Sequence, residues 1–319
     1  MRTRVYSLPC GKADMPVAAL VSLNPASERP IERHPGRSMK RLLGVLLGLF
    51  LLLVAGIRPA ASADKPLVFG VFPNMTAKQT VEVYRPLASA LEKHLGRRVV
   101  VYSARSFETF VARTRHGEYD ILLTAPHLAW LARQDVGYRP LLKYAQPVRG
   151  LLVVKSTSPF EEPEALRGRT IAAADPVALV VMATQAQLSE RGLKRGIDYH
   201  TMDSGTHANA VMQVINGRAD AAILGFHPYM LMPPELRKQL RVVSETPSLS
   251  SLMYLTHPRL RDAEAQAVRQ ALQGFAATPE GQAFMQRGGY GGFADVDGSE
   301  LRAFRPYALQ AQEMLRSAR

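Results

Sequence analysis

Two segments of the chain carry the same pattern of polar and apolar positions. They are SFETFVARTRHGEYDILLTAP (Ser106–Pro126) and DSGTHANAVMQVINGRADAAILGFHP (Asp203–Pro228). Each places a Gly eleven positions after a hydroxyl residue, then an Asp three positions on and an apolar run, and a His follows seven residues past the Asp, as His127 just after the first segment and His227 within the second. A hydroxyl residue before an apolar period is typical of a helix start, and Gly is typical of a helix end. The pattern predicts a helix that leads directly into a buried strand, built twice.

Apolar runs extend each segment into an alternating series of elements. The first series has strands over 67–72, 99–102 and 121–123, separated by helices over 81–95 and 106–116. The second has strands over 171–174, 199–202 and 221–224, separated by helices over 178–188 and 206–215. Pro86 is tolerated if it lies in the first turn of its helix. Alternation of this kind predicts an α/β fold with parallel sheets, here as two Rossmann-like lobes.

Two further apolar runs predict the connections between the lobes. Strands at Leu151–Lys155 and Leu252–His257 are expected to cross from lobe 1 to lobe 2 and back. The predicted boundaries are lobe 1 over 64–147, lobe 2 over 148–250, and a return strand with C-terminal helices over 251–319, near 263–277 and 299–316, that rejoin lobe 1. Ligands bind beyond the carboxyl ends of strands in such sheets, so the cleft between the lobes is the expected site.

The N-terminal region has the pattern of an export signal. Met39-Lys40-Arg41 precedes an apolar run of 16 residues, and Ala61-Ser62-Ala63 resembles a cleavage site, which predicts a signal peptide over 39–63. An uncleaved anchor is the alternative. Residues 1–38 are predicted to be a non-native leader or disordered, with Met39 as the true start. The single cysteine, Cys10, lies in that leader, so the exported part has no disulfide, consistent with a bacterial periplasm.

Composition excludes several classes of function. The chain has 319 residues and a formal charge of +13, but its basic residues are scattered and do not alternate with aromatic ones, which disfavours nucleic-acid binding. The exported part has no thiol nucleophile, and the chain has no Gly-x-Ser-x-Gly, His-Glu-x-x-His or phosphate-binding glycine motif. The sequence therefore predicts a monomeric binding protein without a cofactor, and an enzyme on the same fold is the disfavoured alternative.

A set of short motifs, in order and spacing, resembles the periplasmic substrate-binding proteins of phosphate/phosphite/phosphonate-type ABC transporters. The motifs lie within Leu67–Gln286 and are Gly70-Val-Phe-Pro73, Tyr84-Arg-Pro-Leu-Ala88, Gly117-Glu-Tyr-Asp120, Leu166-Arg-Gly-Arg-Thr170, Asp175-Pro176, Ser204-Gly-Thr-His207 and Asn216-Gly-Arg-Ala-Asp220. The resemblance implies a type 2 periplasmic-binding fold that closes on an oxyanion ligand and delivers it to an ABC permease in the inner membrane. A receptor read by a membrane sensor is the alternative role.

The chain departs from that family where hydroxyl groups are expected to hold the ligand. Asp175-Pro176 is followed by Val177-Ala-Leu-Val180 in place of a Ser/Thr-rich helix start, and Phe107 stands where the family has Tyr. Gly225 or Phe226 replaces a polar residue after the last strand of lobe 2, whereas Thr206 and His207 remain. Each lost hydroxyl donor costs an oxyanion about 1–3 kcal/mol. The predicted pocket is therefore more apolar than that of the family, and an apolar organic anion becomes an alternative to phosphonate.

The expected ligand-binding residues follow from the strand ends, the helix starts and the resemblance. They are Phe72, Asn74, Ser106, Phe107, Thr124, His127, Trp130, Asp175, Ala178, Ser204, Thr206, His207, Phe226 and His227. We expect His207 to be exposed to the cleft, because it directly follows a helix cap. Asp120 and Asp220 are expected to hydrogen-bond within their lobes. Imidazole binds zinc, copper, nickel and iron, so His127, His207 and His227 form an alternative metal or metal-chelate site.

Overall fold

The computed structural model describes residues 65–317. The predicted leader over 1–38 and export signal over 39–63 lie outside the described residues. Eleven strands are present in the part described: β1 Leu67–Val71, β2 Val99–Ser103, β3 Ile121–Thr124, β4 Arg139–Tyr144, β5 Gly150–Lys155, β6 Thr170–Ala173, β7 His200–Asp203, β8 Ala221–Gly225, β9 Leu240–Glu245, β10 Met253–Thr256 and β11 Phe293–Asp295.

The α-helices of the same region are α1 Ala77–Leu95, α2 Phe107–Arg115, α3 Pro126–Val136, α4 Leu179–Glu190, α5 His207–Ile215, α6 Phe226–Met230, α7 Pro234–Arg237, α8 Asp262–Ala277, α9 Pro279–Gly288, α10 Gly298–Ala303 and α11 Arg305–Ser317. A 3₁₀ turn covers Pro163–Leu166. Among the described residues, no helix is long and apolar enough to cross a membrane.

The strands form two sheets, each the centre of one lobe. Lobe 1 has the order β11-β4-β10-β3-β1-β2, and lobe 2 has the order β7-β6-β8-β5-β9. Within each sheet, the three strands of the alternating series are parallel neighbours: β2-β1-β3 in lobe 1 and β7-β6-β8 in lobe 2. The α/β class and the two lobes predicted from the repeated pattern are therefore confirmed.

The chain passes between the lobes twice. The passages are the short segments 145–149 and 246–252, where Val148 and Leu249 form an antiparallel bridge. The two runs predicted to cross belong to the sheets themselves, β5 to lobe 2 and β10 to lobe 1. The C-terminal helices return to lobe 1, with α8 against α1 and α11 against α3.

Side-chain alternation explains the burial of the lobe 2 sheet. Along β5, Leu152 and Val154 join the large hydrophobic cluster that also contains the core of lobe 1. Leu151 and Val153 point to the opposite face and pack in a second cluster with α5. Because successive side chains of a strand lie on opposite faces, a continuous apolar run indicates a sheet covered on both sides.

Two helix predictions were wrong in their bounds. Helix α1 begins at Ala77, four residues earlier than predicted, because Thr76 and Gln79 form a capping box, so Pro86 lies in the helix interior. The predicted single helix over 299–316 is divided at Phe304 into α10 and α11. Pro306 lacks an N–H and is tolerated in the first turn of α11, but it would break a continuous helix.

Candidate functional site

A cavity of about 40 Å³ lies where the two lobes meet. Phe72, Asn74, Phe107 and Ala125 line it from lobe 1, and most of the opposite wall comes from the starts of α4, α5 and α6 in lobe 2. We call it the inner cavity; its lobe 2 and crossing-segment residues are Val148, Ala178, Leu179, Val180, His207, Gly225, Phe226, His227, Pro228 and Leu252. Its wall is almost wholly apolar.

A second cavity of about 270 Å³ adjoins the first. We call it the outer cavity; it is lined by Asn74, Met75, Gln79, Glu82, Val83, His207, Ala208, Val211, Met212, Pro228, Leu231, Met232, Pro233 and Leu236. Asn74, His207 and Pro228 line both cavities. The two volumes together reach the lower end of the range for small-molecule pockets, about 300–1,000 Å³.

Half of the predicted ligand-binding residues line the inner cavity. The rings of Phe72 and Phe107 lie edge to face with centroids 6.1 Å apart, and they form an apolar wall opposite Ala178. The predicted residues at this cavity are Phe72, Asn74, Phe107, Ala178, His207, Phe226 and His227. These positions are the ends of β1 and β8 and the starts of three helices, where ligands are expected to bind in such sheets.

The predicted hydroxyl ligands lie at helix caps and line neither cavity. The Ser106 Oγ accepts from the Thr109 N–H at 3.1 Å, and the Thr206 Oγ1 accepts from the Asn209 N–H at 3.2 Å. The Ser204 Oγ donates to the Met202 carbonyl at 3.3 Å. Each hydroxyl therefore satisfies backbone groups that a short helix or turn would otherwise leave unpaired.

The turn before α5 depends on a left-handed residue. Gly205 has a φ of 73° between Ser204 and the cap Thr206. Gly adopts this conformation without the steric cost that a side chain carries. The turn places His207 as the first residue of α5 and brings it to the wall that both cavities share.

Asp175 is also used within its own loop. Its Oδ1 accepts from the Val177 N–H at 2.8 Å, just before α4. Burial raises the pKa of the Asp175 carboxyl, and the hydrogen bond from Val177 opposes this. Asp175 lines neither cavity.

Thr124 and Trp130 are not at the cavities, contrary to the prediction. Thr124 is fully buried at the end of β3, where it pairs with Met253, and the next residue, Ala125, lines the inner cavity in its place. Trp130 lies more than one helical turn beyond the Ala125 cap and packs on the hydrophobic cluster. A turn of helix rises about 5.4 Å, which carries Trp130 away from the strand ends.

His127 forms a hydrogen bond between the lobes. Its Nε2 lies 3.0 Å from the Val177 carbonyl oxygen, which joins α3 of lobe 1 to the loop before α4 of lobe 2. A carbonyl only accepts, so Nε2–H donates and Nδ1 of the neutral ring is unprotonated. Burial lowers the pKa of His127 to about 4. His127 lines neither cavity; it stabilises the contact between the lobes beside them.

His227 also makes connections to other elements. Its Nδ1–H donates to the Gly288 carbonyl at 3.0 Å, and its Nε2 accepts from the Ser251 hydroxyl at 3.4 Å. These bonds link α6 of lobe 2 to the end of α9 and to the second crossing segment. Burial lowers the pKa of His227 to about 4, and the nearby Arg149 acts in the same direction. Both ring nitrogens are occupied.

His207 differs from the other two because it lines both cavities; its Nδ1, like that of His127, is buried without a hydrogen-bond partner. Only 4% of the residue is exposed, so the expectation that it is exposed to the cleft was wrong: residues of both lobes cover it. The Ile223 backbone raises the pKa of the ring, but this effect is smaller than that of burial. Burial lowers the pKa of His207 to about 4, so the imidazole is neutral at pH 7.

The three histidines do not form the alternative metal site. Within residues 65–317, no group of three or more His, Cys, Asp or Glu side chains is placed to hold a metal ion. His127 and His227 hydrogen-bond to the carbonyls of Val177 and Gly288, which belong to separate segments, and His207 lies at the wall of both cavities. The equal spacing in the sequence reflects the repeated half-domain, and similar positions in two lobes do not bring the side chains together.

Asp120 and Asp220 hydrogen-bond within their lobes, as predicted. The Asp120 Oδ2 accepts from the Val68 N–H at 2.7 Å, and the Asp220 Oδ2 accepts from the Thr170 N–H at 2.9 Å. Each carboxylate thus fixes the start of the neighbouring parallel strand. Asp120 also accepts from the Arg259 Nε at 2.7 Å.

Most of the apolar residues that line the two cavities were not predicted from the sequence. Leu179 and Val180 lie in the segment 177–180, which follows Asp175-Pro176 and lacks hydroxyl groups. Their apolar side chains were the feature of the sequence that could have indicated an apolar cavity wall. Val148 and Leu252 lie next to the predicted crossings. The methionines of the outer cavity had no signal in the sequence, because Met75 belongs to lobe 1 and Met212 and Met232 belong to separate elements of lobe 2; all seven residues line one of the two cavities, with Leu236.

Comparison with known proteins identifies the family. The family model described as "ABC transporter, phosphonate, periplasmic substrate-binding protein" matches residues 69–301. A binding component of a phosphonate ABC transporter from Pseudomonas aeruginosa is 17% identical with a TM-score of 0.67, covering 78% of this chain and 87% of that one. PhnD1 from Prochlorococcus marinus, solved with methylphosphonate, is 12% identical with a TM-score of 0.68, covering 78% and 98%.

A third solved structure, a Xanthomonas citri protein bound to chloride, is 19% identical with a TM-score of 0.61 and covers 78% of this chain and 99% of that chain. At these identities the solved structures establish the two-lobed fold, which agrees with the type 2 periplasmic-binding fold implied by the motifs. The family match spans both sheets and both cavities. The chain therefore belongs to the family of periplasmic substrate-binding proteins of phosphonate ABC transporters.

Proposed function

We propose that this protein captures a small organic solute between its two lobes and presents it to an ABC permease. The observation that carries the proposal is the pair of adjoining cavities, to which both lobes contribute walls. Binding there stabilises the closed form, because only in that form do Phe72 and Phe107 of lobe 1 face Ala178 and Val180 of lobe 2. A permease can then distinguish loaded from empty receptor by its shape.

The cavity walls favour a solute with a large apolar part. Among the described residues, no Lys or Arg lines either cavity, and Glu82 is the only carboxylate that does. Arg149 stacks on the Phe226 ring, 4.8 Å from its centroid, but it is paired with Glu245 at 2.9 Å. The anionic ligand implied by the resemblance would therefore bind without a cationic side chain at the wall. Backbone N–H groups at helix starts are the remaining source of positive charge.

The place of action is also a proposal. The basic start, apolar run and small-residue end over 39–63 support export to the periplasm, and the family is one of periplasmic proteins. N-terminal sequencing of the exported protein tests this. A mature chain beginning near Asp64 is the expected result, a retained apolar run would indicate an anchored receptor, and residues from before Met39 would contradict the proposed start.

Small-angle X-ray scattering of the full chain tests ligand capture. The chain is measured alone and with the low-molecular-mass extract of the cells in which it is native. Capture predicts a smaller radius of gyration with the extract and a higher melting temperature, since a ligand at 100 times its Kd adds about 2.7 kcal/mol of apparent stability. An unchanged radius and melting temperature with the extract would contradict the proposed function.

A further inference from the structure

A hydrogen bond between the lobes lies directly beside the inner cavity. The His127 Nε2–H of lobe 1 donates to the Val177 carbonyl oxygen of lobe 2 at 3.0 Å. Each partner is close along the chain to the cavity wall, because Ala125 lies two residues before His127, Ala178 follows Val177, and both alanines line the inner cavity. Since the partners belong to different lobes, separation of the lobes at this point breaks the bond.

The closed form accepts only the neutral ring of His127. The side chain is fully buried, and its Nδ1 has no hydrogen-bond partner among the described residues. The Nε2–H is already bonded to the carbonyl, so a proton added at Nδ1 would be a buried charged donor without an acceptor. Burying a charge in this way is strongly unfavourable. Burial accordingly lowers the pKa of His127 to about 4, against the smaller effect of the Val177 carbonyl.

In the described part of the chain, no neighbouring charge offsets a proton on this ring. The ionisable group of the facing loop is Asp175, whose Oδ1 accepts from the Val177 N–H at 2.8 Å. Within lobe 1, α2, α10, α11 and β10 pack against α3. Burial and the Val177 carbonyl explain the pKa of His127 without a contribution from the ionisable groups of these elements. Those groups are Glu108, Arg113 and Arg115 of α2, Glu300 and Arg302 of α10, Arg305, Tyr307, Glu313 and Arg316 of α11, and Tyr254 of β10.

The other two buried histidines are placed differently relative to the movement of the lobes. The bonds of His227 run to Gly288 and to Ser251 of the second crossing segment. These bonds lie beside the segments that join the lobes, where separation of the lobes moves atoms least. His207 lines both cavities, and burial lowers its pKa as well, so it acts in the same direction as His127.

We propose that His127 makes closure of the lobes depend on protons: at neutral pH its uncharged ring holds the lobes together by donating to Val177, and on mild acidification the protonated ring keeps them apart and the captured solute is released. This inference rests on the proposed function and adds a regulation of the same site. In the open form the Val177 carbonyl has moved away and water reaches the ring, which then titrates near its ordinary pKa of about 6.5.

The direction of the effect follows from the two protonation states of His127. The open form binds a proton below about pH 6.5, whereas the closed form binds one only below about pH 4. Closure is therefore fully favoured above pH 6.5 and is progressively lost as the pH falls from 6.5 towards 4. Between pH 7.5 and 5.5 the fraction of open chains with a neutral His127 falls about tenfold, and the apparent affinity for a solute falls by the same factor.

Titration of the full chain with the low-molecular-mass extract of its native cells at pH 7.5 and 5.5 tests the proposal. The quantity measured by X-ray scattering is the amount of extract that gives half of the maximal compaction. The unaltered protein is expected to need about tenfold more extract at pH 5.5. His127→Gln keeps an N–H donor for Val177 but does not titrate, so its ratio between the two pH values is expected to be about tenfold smaller.

The comparison of variants removes other sources of pH dependence. A solute that itself titrates affects the unaltered protein and His127→Gln equally. His200→Gln, which replaces an exposed imidazole on β7, is the matched control and is expected to keep the full ratio. If His127→Gln does not fold, nitrogen-15 spectra of the unaltered protein labelled at histidine replace it. Fewer rings are then expected to titrate between pH 7.5 and 5.5 with the extract than without it.

Two results would overturn the proposal: a His127→Gln protein with the same pH ratio as the unaltered one, or an equal number of titrating rings with and without the extract. Failure of the proposed function gives a different result, because the extract would then leave the radius of gyration unchanged even at pH 7.5, and both proposals would fall. If the extract compacts the unaltered protein equally at both pH values, capture stands and the proton dependence is wrong.

Discussion

Three buried histidines carry out different structural tasks with the same protonation state. Burial lowers the pKa of His127, His207 and His227 to about 4, so each ring is neutral near pH 7. A neutral ring has one N–H and one unprotonated nitrogen. The neutral form allows His127 to join the lobes and His227 to bridge Gly288 and Ser251, and it keeps an uncharged His207 ring at the wall that both cavities share. Protonation would disturb all three arrangements.

The protein is expected to lose stability on mild acidification. Unfolded imidazoles titrate near 6.5 and these three near 4, so between those values the unfolded chain binds more protons and stability falls as pH falls. Each histidine contributes at most about 1.4 kcal/mol per pH unit. Asp175, whose pKa burial raises, acts in the opposite direction. Urea unfolding measures how the free energy of unfolding changes with pH between pH 7 and 5. This interval lies above the range where most carboxylates titrate.

The matched variant for this experiment is His207→Gln, which is expected to remove at most about a third of the pH slope, because His257, whose pKa burial also lowers, adds to the slope of the three buried rings. His200→Gln, at an exposed position, is the control and keeps the full slope. A free energy of unfolding that is constant from pH 6.5 to 5 would contradict neutral burial of the three rings.

Asp120 and Asp220 offer a comparison between equivalent positions of the two lobes. Each carboxylate accepts a backbone N–H of the adjacent strand, but only Asp120 also accepts from Arg259. Hydrogen bonds to charged groups contribute about 1.5–3 kcal/mol. Asp120→Asn is expected to lower the free energy of unfolding by about 2 kcal/mol, and Asp220→Asn by about half as much. Equal effects in urea unfolding would show that the Arg259 contact adds no stability.

At the scale of elements, α4 lies unusually close to β5, and this contact positions one wall of the inner cavity. A Cβ at Gly150 would lie 2.3 Å from the Thr184 Oγ1 and 2.9 Å from the Val180 carbonyl oxygen. Thr184 donates to that same carbonyl at 2.7 Å. Only glycine therefore permits the approach that brings Val180 to the cavity.

Gly150→Ala is expected to destabilise the protein by about 1–3 kcal/mol, because α4 must move away from the sheet. Gly274→Ala is the control: this glycine is exposed in the middle of α8 with open space around it. Alanine there favours the helix and is expected to stabilise by up to about 1 kcal/mol. Thermal unfolding of both variants makes the comparison, and a Gly150→Ala protein as stable as the unaltered one would contradict the close packing.

The sequence predicted elements more completely than it predicted the site. The apolar period and the helix caps predicted β1 to β3, β6 to β8 and the helices between them. These elements were predictable because each buries its apolar face within its own lobe. The start of α1 and the division of α10 from α11 were missed, since local caps and Pro306 overrode the apolar period. Site residues at strand ends, such as Phe72 and Phe226, were predictable from topology. Met75 was not, because the wall that it shares with Met212 and Met232 exists only when both lobes are in place.

At the scale of the whole molecule, the two lobes are joined by two short crossing segments and held together by contacts across the cleft. The hydrogen bond from His127 to Val177 and the ring contacts around the inner cavity belong to the closed form. The segments 145–149 and 246–252 pair through Val148 and Leu249, and we propose that the chain bends there when the lobes close. The proposed capture of a solute therefore depends on closure of the lobes around these segments.

Double electron–electron resonance measures the distance between spin labels on the two lobes and so tests their closure directly. After Cys10→Ser removes the only native cysteine, spin labels are placed at Lys78→Cys of lobe 1 and Lys238→Cys of lobe 2. These lysine side chains are 86% and 71% exposed and lie beside the outer cavity without lining it. With the cell extract, the distance distribution is predicted to shift to one narrower and shorter distance. A distribution unchanged by an extract that raises the melting temperature would contradict closure of the lobes on a ligand.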